Sequence, residues 1–150
     1  QAIRFAENEV RSVGRTSRGV RGMGLSTDDE VIGVQLVSQG ECLWTVSEFG
    51  MGKRIYVSEF GNQHRGGMGN RCYKVTEKTG KLIGSKLVDE GREILLITNE
   101  GVMIRMEVSG ISIIGRNTSG VKLMDVNRDS NIRVASIAKV RDTRDEERDE

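Results

Sequence analysis

The stretch Gly14-Arg-Thr-Ser-Arg-Gly-Val20 returns 101 residues later as Gly115-Arg-Asn-Thr-Ser-Gly-Val121. This spacing is two periods of about 50 residues, which predicts a third copy midway between the two. Arg65-Gly-Gly-Met-Gly69 is that copy, because its first and last residues each follow their counterparts in the first copy by 50 residues. A period of this length is typical of repeat proteins, in which small units of structure are stacked in a row.

Two further features repeat in the same register. A glycine-containing turn with a basic strand occurs as Gly50-Met-Gly-Lys-Arg54 and, 51 residues on, as Gly101-Val-Met-Ile-Arg105. Gln1-Ala-Ile-Arg4 fits the same frame. An apolar run closes each unit, at residues 31–37, 82–88 and 133–140. Because three features agree in register, the sequence predicts the units 1–38, 39–89 and 90–140.

Each unit has the pattern of short β-strands separated by turns. Besides the closing runs, strands are expected at 42–46, 53–57, 72–75, 94–98, 102–106 and 121–124. The 19 glycines and the absence of proline suit many tight turns. Four antiparallel strands in about 50 residues are the content of one propeller blade. The sequence therefore predicts an all-β, propeller-like fold.

The array of blades is expected to be incomplete. The first unit begins at Gln1, after the point where an opening strand would lie, so the chain is expected to be part of a larger array and to hold about three blades. Residues 141–150 follow the last unit and are strongly acidic. This tail is expected to be disordered.

Composition argues against several classes of protein. No apolar stretch approaches the roughly 20 residues of a membrane-spanning helix, and the N-terminus lacks the pattern of a signal peptide. With one histidine, His64, and no C-x-x-C pair, neither a metal site nor a catalytic triad is expected. The two cysteines, Cys42 and Cys72, are predicted to be buried thiols in a reducing cytosol.

The charge is unevenly distributed along the chain. Residues 1–140 hold 20 Lys and Arg against 16 Asp and Glu, a balance of +4, whereas residues 141–150 have a balance of −3. A mildly basic body favours a polyanionic partner. The acidic tail either competes with that partner for the basic surface or is a solubilising chain end.

Three motifs resemble the C-terminal domain of bacterial DNA gyrase A subunits: G-R-T-S-R-G-V-R-G-M at 14–23, Q-H-R-G-G-M-G at 63–69 and I-S-I-I-G-R-N-T-S-G-V at 111–121. The resemblance extends over about residues 1–140 and is to the last three blades of that domain. The family forms a spiral array called a β-pinwheel, which wraps DNA around its outer rim. Its hallmark box is Q-[KR]-R-G-G-[KR]-G, from which 63–69 departs at His64 and Met68.

The resemblance implies a non-catalytic module of an ATP-dependent type II topoisomerase that acts on the nucleoid in the cytoplasm. By the same resemblance, the module binds and wraps DNA without sequence preference, so that strand passage by the whole enzyme introduces negative supercoils. The implied partners are double-stranded DNA, the rest of the gyrase A subunit and the gyrase B subunit, with no membrane contact. No cofactor is expected in this segment, because ATP and Mg²⁺ would be used by other parts of the enzyme.

Wrapping requires phosphate contacts along a curved surface, made by Lys and Arg side chains and by the amides of glycine-rich loops. The candidates in the glycine–arginine loops are Arg15, Arg18, Arg21, Arg65, Arg71, Lys74, Arg116 and Lys122. A second repeated row consists of Arg4, Lys53, Arg54 and Arg105. The box-like loop adds Gln63, His64, Arg65, Gly66, Gly67, Met68 and Gly69.

Two alternatives remain at this point. In topoisomerase IV, the corresponding C-terminal domain shares the blades but generally lacks the box, so the Arg-Gly-Gly at 65–67 favours gyrase. A protein-binding propeller fragment is the other alternative, although such arrays usually have Trp-Asp or aromatic signatures that these units lack. For any single basic residue, the competing interpretation is a surface charge or a salt bridge within a blade.

Overall fold

The computed structural model describes residues 1–140, and within them it contains β-strands and short 3-10 turns but no α-helix. The strands are β1 (Arg4–Phe5), β2 (Cys42–Ser47), β3 (Met51–Tyr56), β4 (Asn62–Gln63), β5 (Leu82–Val88), β6 (Glu93–Thr98), β7 (Met103–Glu107), β8 (Val121–Lys122) and β9 (Val134–Lys139). The 3-10 turns are Glu7–Glu9, Val37–Gln39, Val57–Glu59 and Val108–Gly110. The all-β prediction is confirmed.

The central sheet has the order β5-β2-β3-β8, and all its neighbouring strands are antiparallel. β2 and β3 form a hairpin in which Trp44 lies opposite Arg54. β5 pairs with the other edge of β2, where Cys42 lies opposite Val88. This sheet is a complete four-stranded blade of the predicted kind.

The fourth strand of the central blade comes from the next unit along the chain. In β8, Val121 pairs with Gly52 of β3, although Val121 belongs to the unit 90–140. The same connection occurs one unit earlier, where Ala2 and Asn70 exchange two backbone hydrogen bonds of 2.8 Å. The units 39–89 and 90–140 therefore each supply a segment that pairs with the preceding blade, and backbone hydrogen bonds join successive blades.

The other two sheets are smaller. β1 pairs in parallel with β4, with Arg4 opposite Asn62. The third sheet has the order β7-β6-β9 and is antiparallel throughout. Within residues 1–140, no strand pairs with the outer edge of β7, the edge that corresponds to the β8-paired edge of β3.

Two predicted strands do not form. Residues 31–37 are mostly exposed and pair with no strand. In the other two units the closing strand, β5 or β9, pairs with the first long strand of its own unit, β2 or β6, and residues 1–38 contain no equivalent of that strand. Residues 72–75 also form no strand. Instead, Cys72 and Tyr73 are buried, and the Lys74 amide donates to the Thr118 carbonyl at 3.0 Å, which directs this segment toward the third unit.

The main core lies between the central and third sheets. Trp44, Ile94 and Leu96 are fully buried there. A second cluster joins Ile55 to Phe60, Cys72 and Tyr73. Cys42 and Cys72 are both buried free thiols, as predicted.

Candidate nucleic-acid interface

The first two glycine–arginine loops lie side by side. We call residues 14–24 the first loop, 63–74 the second loop and 115–122 the third loop. The Gly66 amide donates to the Gly22 carbonyl at 2.7 Å, and the Gly24 amide donates to the Gly67 carbonyl at 2.8 Å. The Arg65 side chain also donates to the Arg21 carbonyl, at 3.0 Å.

The second and third loops are joined in a similar way. Arg116 Nη1 donates to the Arg71 carbonyl at 3.4 Å, and Ser119 Oγ donates to the Lys74 carbonyl at 2.8 Å. The Tyr73 hydroxyl donates to the Ser119 carbonyl. The three loops therefore form one continuous strip, which we call the loop row.

The loop row has exposed cations along its length. Among the predicted contacts, the following are exposed and have no ion pair among the described residues: Arg15, Arg18, Arg21, Arg71 and Lys74. Lys122 is also exposed, and its ammonium lies 2.7 Å from the Asp125 carboxylate. A surface pair of this kind is worth at most about 1 kcal/mol, so Lys122 remains available to a phosphate.

Two loop arginines are half-buried and hold neighbouring loops together. Arg65 donates to the carbonyls of both Glu9 and Arg21, and Arg116 lies over the Phe60 ring at 5.9 Å as well as donating to Arg71. Their recurrence in the repeat is thus explained in part by contacts between units. Arg15 is in the equivalent position of the first loop but is fully on the surface.

Lys53 does not belong to the interface, and its prediction as a DNA contact is corrected here. Its exposed fraction is 0%, and its ammonium donates to the carbonyls of Gly115, Arg116 and Thr118 at 2.8 to 2.9 Å. It also lies 5.2 Å from the centre of the Tyr73 ring. Burial lowers the pKa of this ammonium to about 8. The Lys53 ammonium therefore supports the third loop from its buried side and cannot reach a phosphate.

Arg54 is corrected for the same reason. Only 4% of it is exposed, and its Nε donates to the Ile111 carbonyl at 2.8 Å. Arg4 makes the equivalent contact one unit earlier, donating to the carbonyls of Val57 and Phe60. Arg4 and Arg54 therefore connect β1 and β3 to the 3-10 turn of the following unit or to the residue directly after it. Arg105, the third member, is exposed and pairs with Glu93.

The box-like loop lies in the middle of the loop row. Gln63 ends β4, and His64 is 99% exposed. Gly66 and Gly69 have positive φ angles of 89° and 76°, which favour glycine. The remaining members, Gly67 and Met68, are exposed.

Sequence reasoning missed two features of this surface. Arg11 is exposed just before the first loop, but the repeat does not mark it, because Gly61 follows it by one period of 50 residues. Glu9 contacts His64 and Arg65 of the second loop, and no sequence pattern relates residues 55 positions apart.

The described part of the chain has no helix of the length and apolarity needed to cross a membrane. In the same 140 residues, no group of three or more His, Cys, Asp and Glu side chains is placed to hold a metal ion.

Comparisons with known proteins agree with this architecture. The family model for the DNA gyrase C-terminal domain, beta-propeller, matches residues 1–38, 45–89 and 92–138. The gyrase A protein of Ureaplasma parvum is 39% identical over 97% of this chain, and that of Clostridium acetobutylicum is 45% identical over 93%. The chain spans only 17% and 16% of these two relatives.

Solved structures give the same result. A DNA gyrase A C-terminal domain matches with a TM-score of 0.85 at 30% identity, covering 91% of this chain and 46% of that one. The C-terminal domain of a DNA topoisomerase IV has the same fold, with a TM-score of 0.79 at 24% identity over 91% of this chain and 42% of that one. Since the family model covers most of the chain and the sequence relatives are gyrase A proteins, the chain belongs to the family of DNA gyrase A C-terminal domains.

Proposed function

We propose that this chain binds double-stranded DNA without sequence preference and supports its wrapping, as a non-catalytic part of a DNA gyrase. The observation that supports this most is the continuity of the loop row, in which three loops with exposed arginines and lysines touch one another through backbone contacts. Cations in such a strip can follow successive phosphates of one duplex and release their counterions.

The proposal includes the setting of the complete enzyme. The protein partners would be the remainder of the gyrase A polypeptide and a gyrase B polypeptide. ATP and Mg²⁺ would be used by those other parts, and the site of action would be the nucleoid in the cytoplasm. Family membership supports this setting.

The test compares two triple variants with equal loss of charge. R18Q/R21Q/K74Q removes three exposed cations from the loop row, whereas K78Q/K81Q/K139Q removes three exposed cations outside it. Fluorescence anisotropy with a labelled duplex of mixed sequence, at roughly 50 mM salt, should give an affinity about tenfold lower or more for the first variant.

The control variant should stay close to the unchanged chain, because its net charge falls equally but the loop row is intact. Equal weakening of both variants would mean that the interface is not the loop row. Absence of DNA binding by the unchanged chain would overturn the proposed function itself and favour a protein-binding role.

A further inference from the structure

An acidic side chain, that of Glu9, contacts the basic second loop. Glu9 belongs to the 3-10 turn Glu7–Glu9, and 26% of its side chain is exposed. Its Oε1 accepts a hydrogen bond from the Arg65 amide at 3.2 Å and lies 3.2 Å from His64 Nδ1. The Glu9 main-chain carbonyl accepts from Arg65 Nε at 3.0 Å, which holds the 3-10 turn and the second loop together.

These donors form an anion site. The Arg65 main-chain amide and the His64 imidazole nitrogen converge on Glu9 Oε1 where the backbone turns through Gly66 at a φ of 89°. Such turns direct main-chain amides toward an anion, and charge-assisted hydrogen bonds hold it. A carboxylate oxygen is the protein group that most closely imitates a phosphate oxygen in charge and in hydrogen bonding.

We propose that the Glu9 carboxylate occupies the position of a DNA phosphate in the second loop, so that DNA must displace Glu9 to use this site. The inference rests on the proposed function and adds to it an internal competitor, which lowers the affinity of the loop row. The ligand class of the site is a phosphodiester oxygen, and its contacts are the Arg65 amide and the His64 ring.

The corresponding position one unit later is different. Glu59 follows Glu9 by 50 residues, and Gly115 and Arg116 stand where the second loop has His64 and Arg65. Within residues 1–140, Glu59 has no hydrogen bond or ion pair with the third loop, and Arg116 lies over Phe60 instead. The competitor is therefore particular to the box-like loop and is not a general property of the repeat.

The test is the substitution Glu9→Gln, with Glu7→Gln as its matched control. Both remove one negative charge from the same 3-10 turn, but Glu7 is exposed and does not touch the second loop. The glutamine carbonyl can still accept from the Arg65 amide, so the loop keeps its support. Anisotropy titrations with the labelled duplex at roughly 50 mM salt should give E9Q an affinity about three- to tenfold higher than E7Q.

The opposite result distinguishes a supporting role from a competing one. Equal affinities of E9Q and E7Q, or weaker binding by E9Q, would overturn the inference while leaving the proposed function intact, provided that both bind DNA. Failure of the unchanged chain, E7Q and E9Q alike to bind would overturn the proposed function and the inference with it. As a second variant, Glu9→Ala should also bind more tightly than E7Q, and a loss of affinity there would contradict competition.

Discussion

At the scale of single residues, burial separates basic side chains that the repeat treats as equivalent. In the other two units the position of Lys53 is occupied by isoleucine: Ile3 lies 50 residues before it and Ile104 lies 51 residues after it. Two isoleucines at one position of a repeat indicate that it faces inward. The three carbonyls around the Lys53 ammonium explain how a cation is tolerated there without a carboxylate.

The first prediction concerns this buried ammonium. Lys53→Met should lower the free energy of unfolding by about 1 to 3 kcal/mol at pH 7, because the carbonyls of the third loop lose their donor. Urea denaturation followed by tryptophan fluorescence measures this, since Trp44 is fully buried. Lys74→Met is the control, because Lys74 is exposed, and it should change stability by no more than about 0.5 kcal/mol.

The same residue predicts a pH dependence. The pKa of Lys53 is about 8 in the folded chain against an ordinary value of 10.5, so between these values the unfolded chain binds more protons. The free energy of unfolding that Lys53 contributes therefore rises with pH in this range. The stability difference between the unchanged chain and K53M should be larger at pH 10 than at pH 7. A stability difference that becomes smaller from pH 7 to pH 10 would contradict a buried Lys53 ammonium whose pKa is lowered.

At the scale of elements, the pairing of a segment from one unit with the blade of the preceding unit explains why glycines recur in the loops. Gly120 has a φ of 74°, and a Cβ there would lie 2.6 Å from the Gly52 carbonyl oxygen of β3. Gly69 is in the same situation against Ala2, one unit earlier. Gly19 has the same backbone conformation, with a φ of 77°, but nothing lies within 4 Å of its Cβ position. Close approach of two backbones, and not only a turn, requires glycine at Gly69 and Gly120.

This contrast gives the second structural prediction. Gly120→Ala should destabilise the chain by about 2 to 4 kcal/mol, because backbone strain is added to a collision with β3. Gly19→Ala should cost roughly 1 kcal/mol, because strain acts alone. Urea denaturation measures both losses of stability, as shifts of the midpoint at an unchanged dependence of the unfolding free energy on urea concentration. If the two variants are equally destabilised, the contact between β8 and β3 contributes nothing beyond the turn.

At the scale of the whole molecule, the loop row would let separate units contact one DNA duplex under the proposed function. Each loop touches the next through main-chain or arginine contacts, so the spacing between cations is set by the packing of the blades. A double helix that follows such a row is bent, at a cost of about 1 to 6 kcal/mol over a short arc. Several modest phosphate contacts must offset this cost.

The salt dependence of binding is the prediction at this scale. Each phosphate contact on duplex DNA contributes about 0.9 to the slope of log K against log salt, so the six exposed cations of the loop row would give a slope of about −5. Titrations between roughly 50 and 200 mM salt measure it. A slope near zero would exclude a phosphate-based interface, even if some binding remained.

Much of the fold was predictable because the repeat keeps its register. The runs at 42–46, 82–88 and 94–98 became β2, β5 and β6 with boundaries shifted by at most one residue. The strands at 31–37 and 72–75 failed because a strand needs a partner, and pairing is decided by other parts of the chain. The contact between Glu9 and the second loop was equally out of reach, since it joins two elements that no local pattern connects.

The amino-acid sequence by itself determined the period, the all-β class and the family of this protein, because each depends on residue types at regular intervals. Only the tertiary structure decided which basic residues face the solvent and that β8 completes the blade of the preceding unit. The physical reason is that exposure and strand pairing depend on distances between segments about 50 or more residues apart, which are set when the blades pack together.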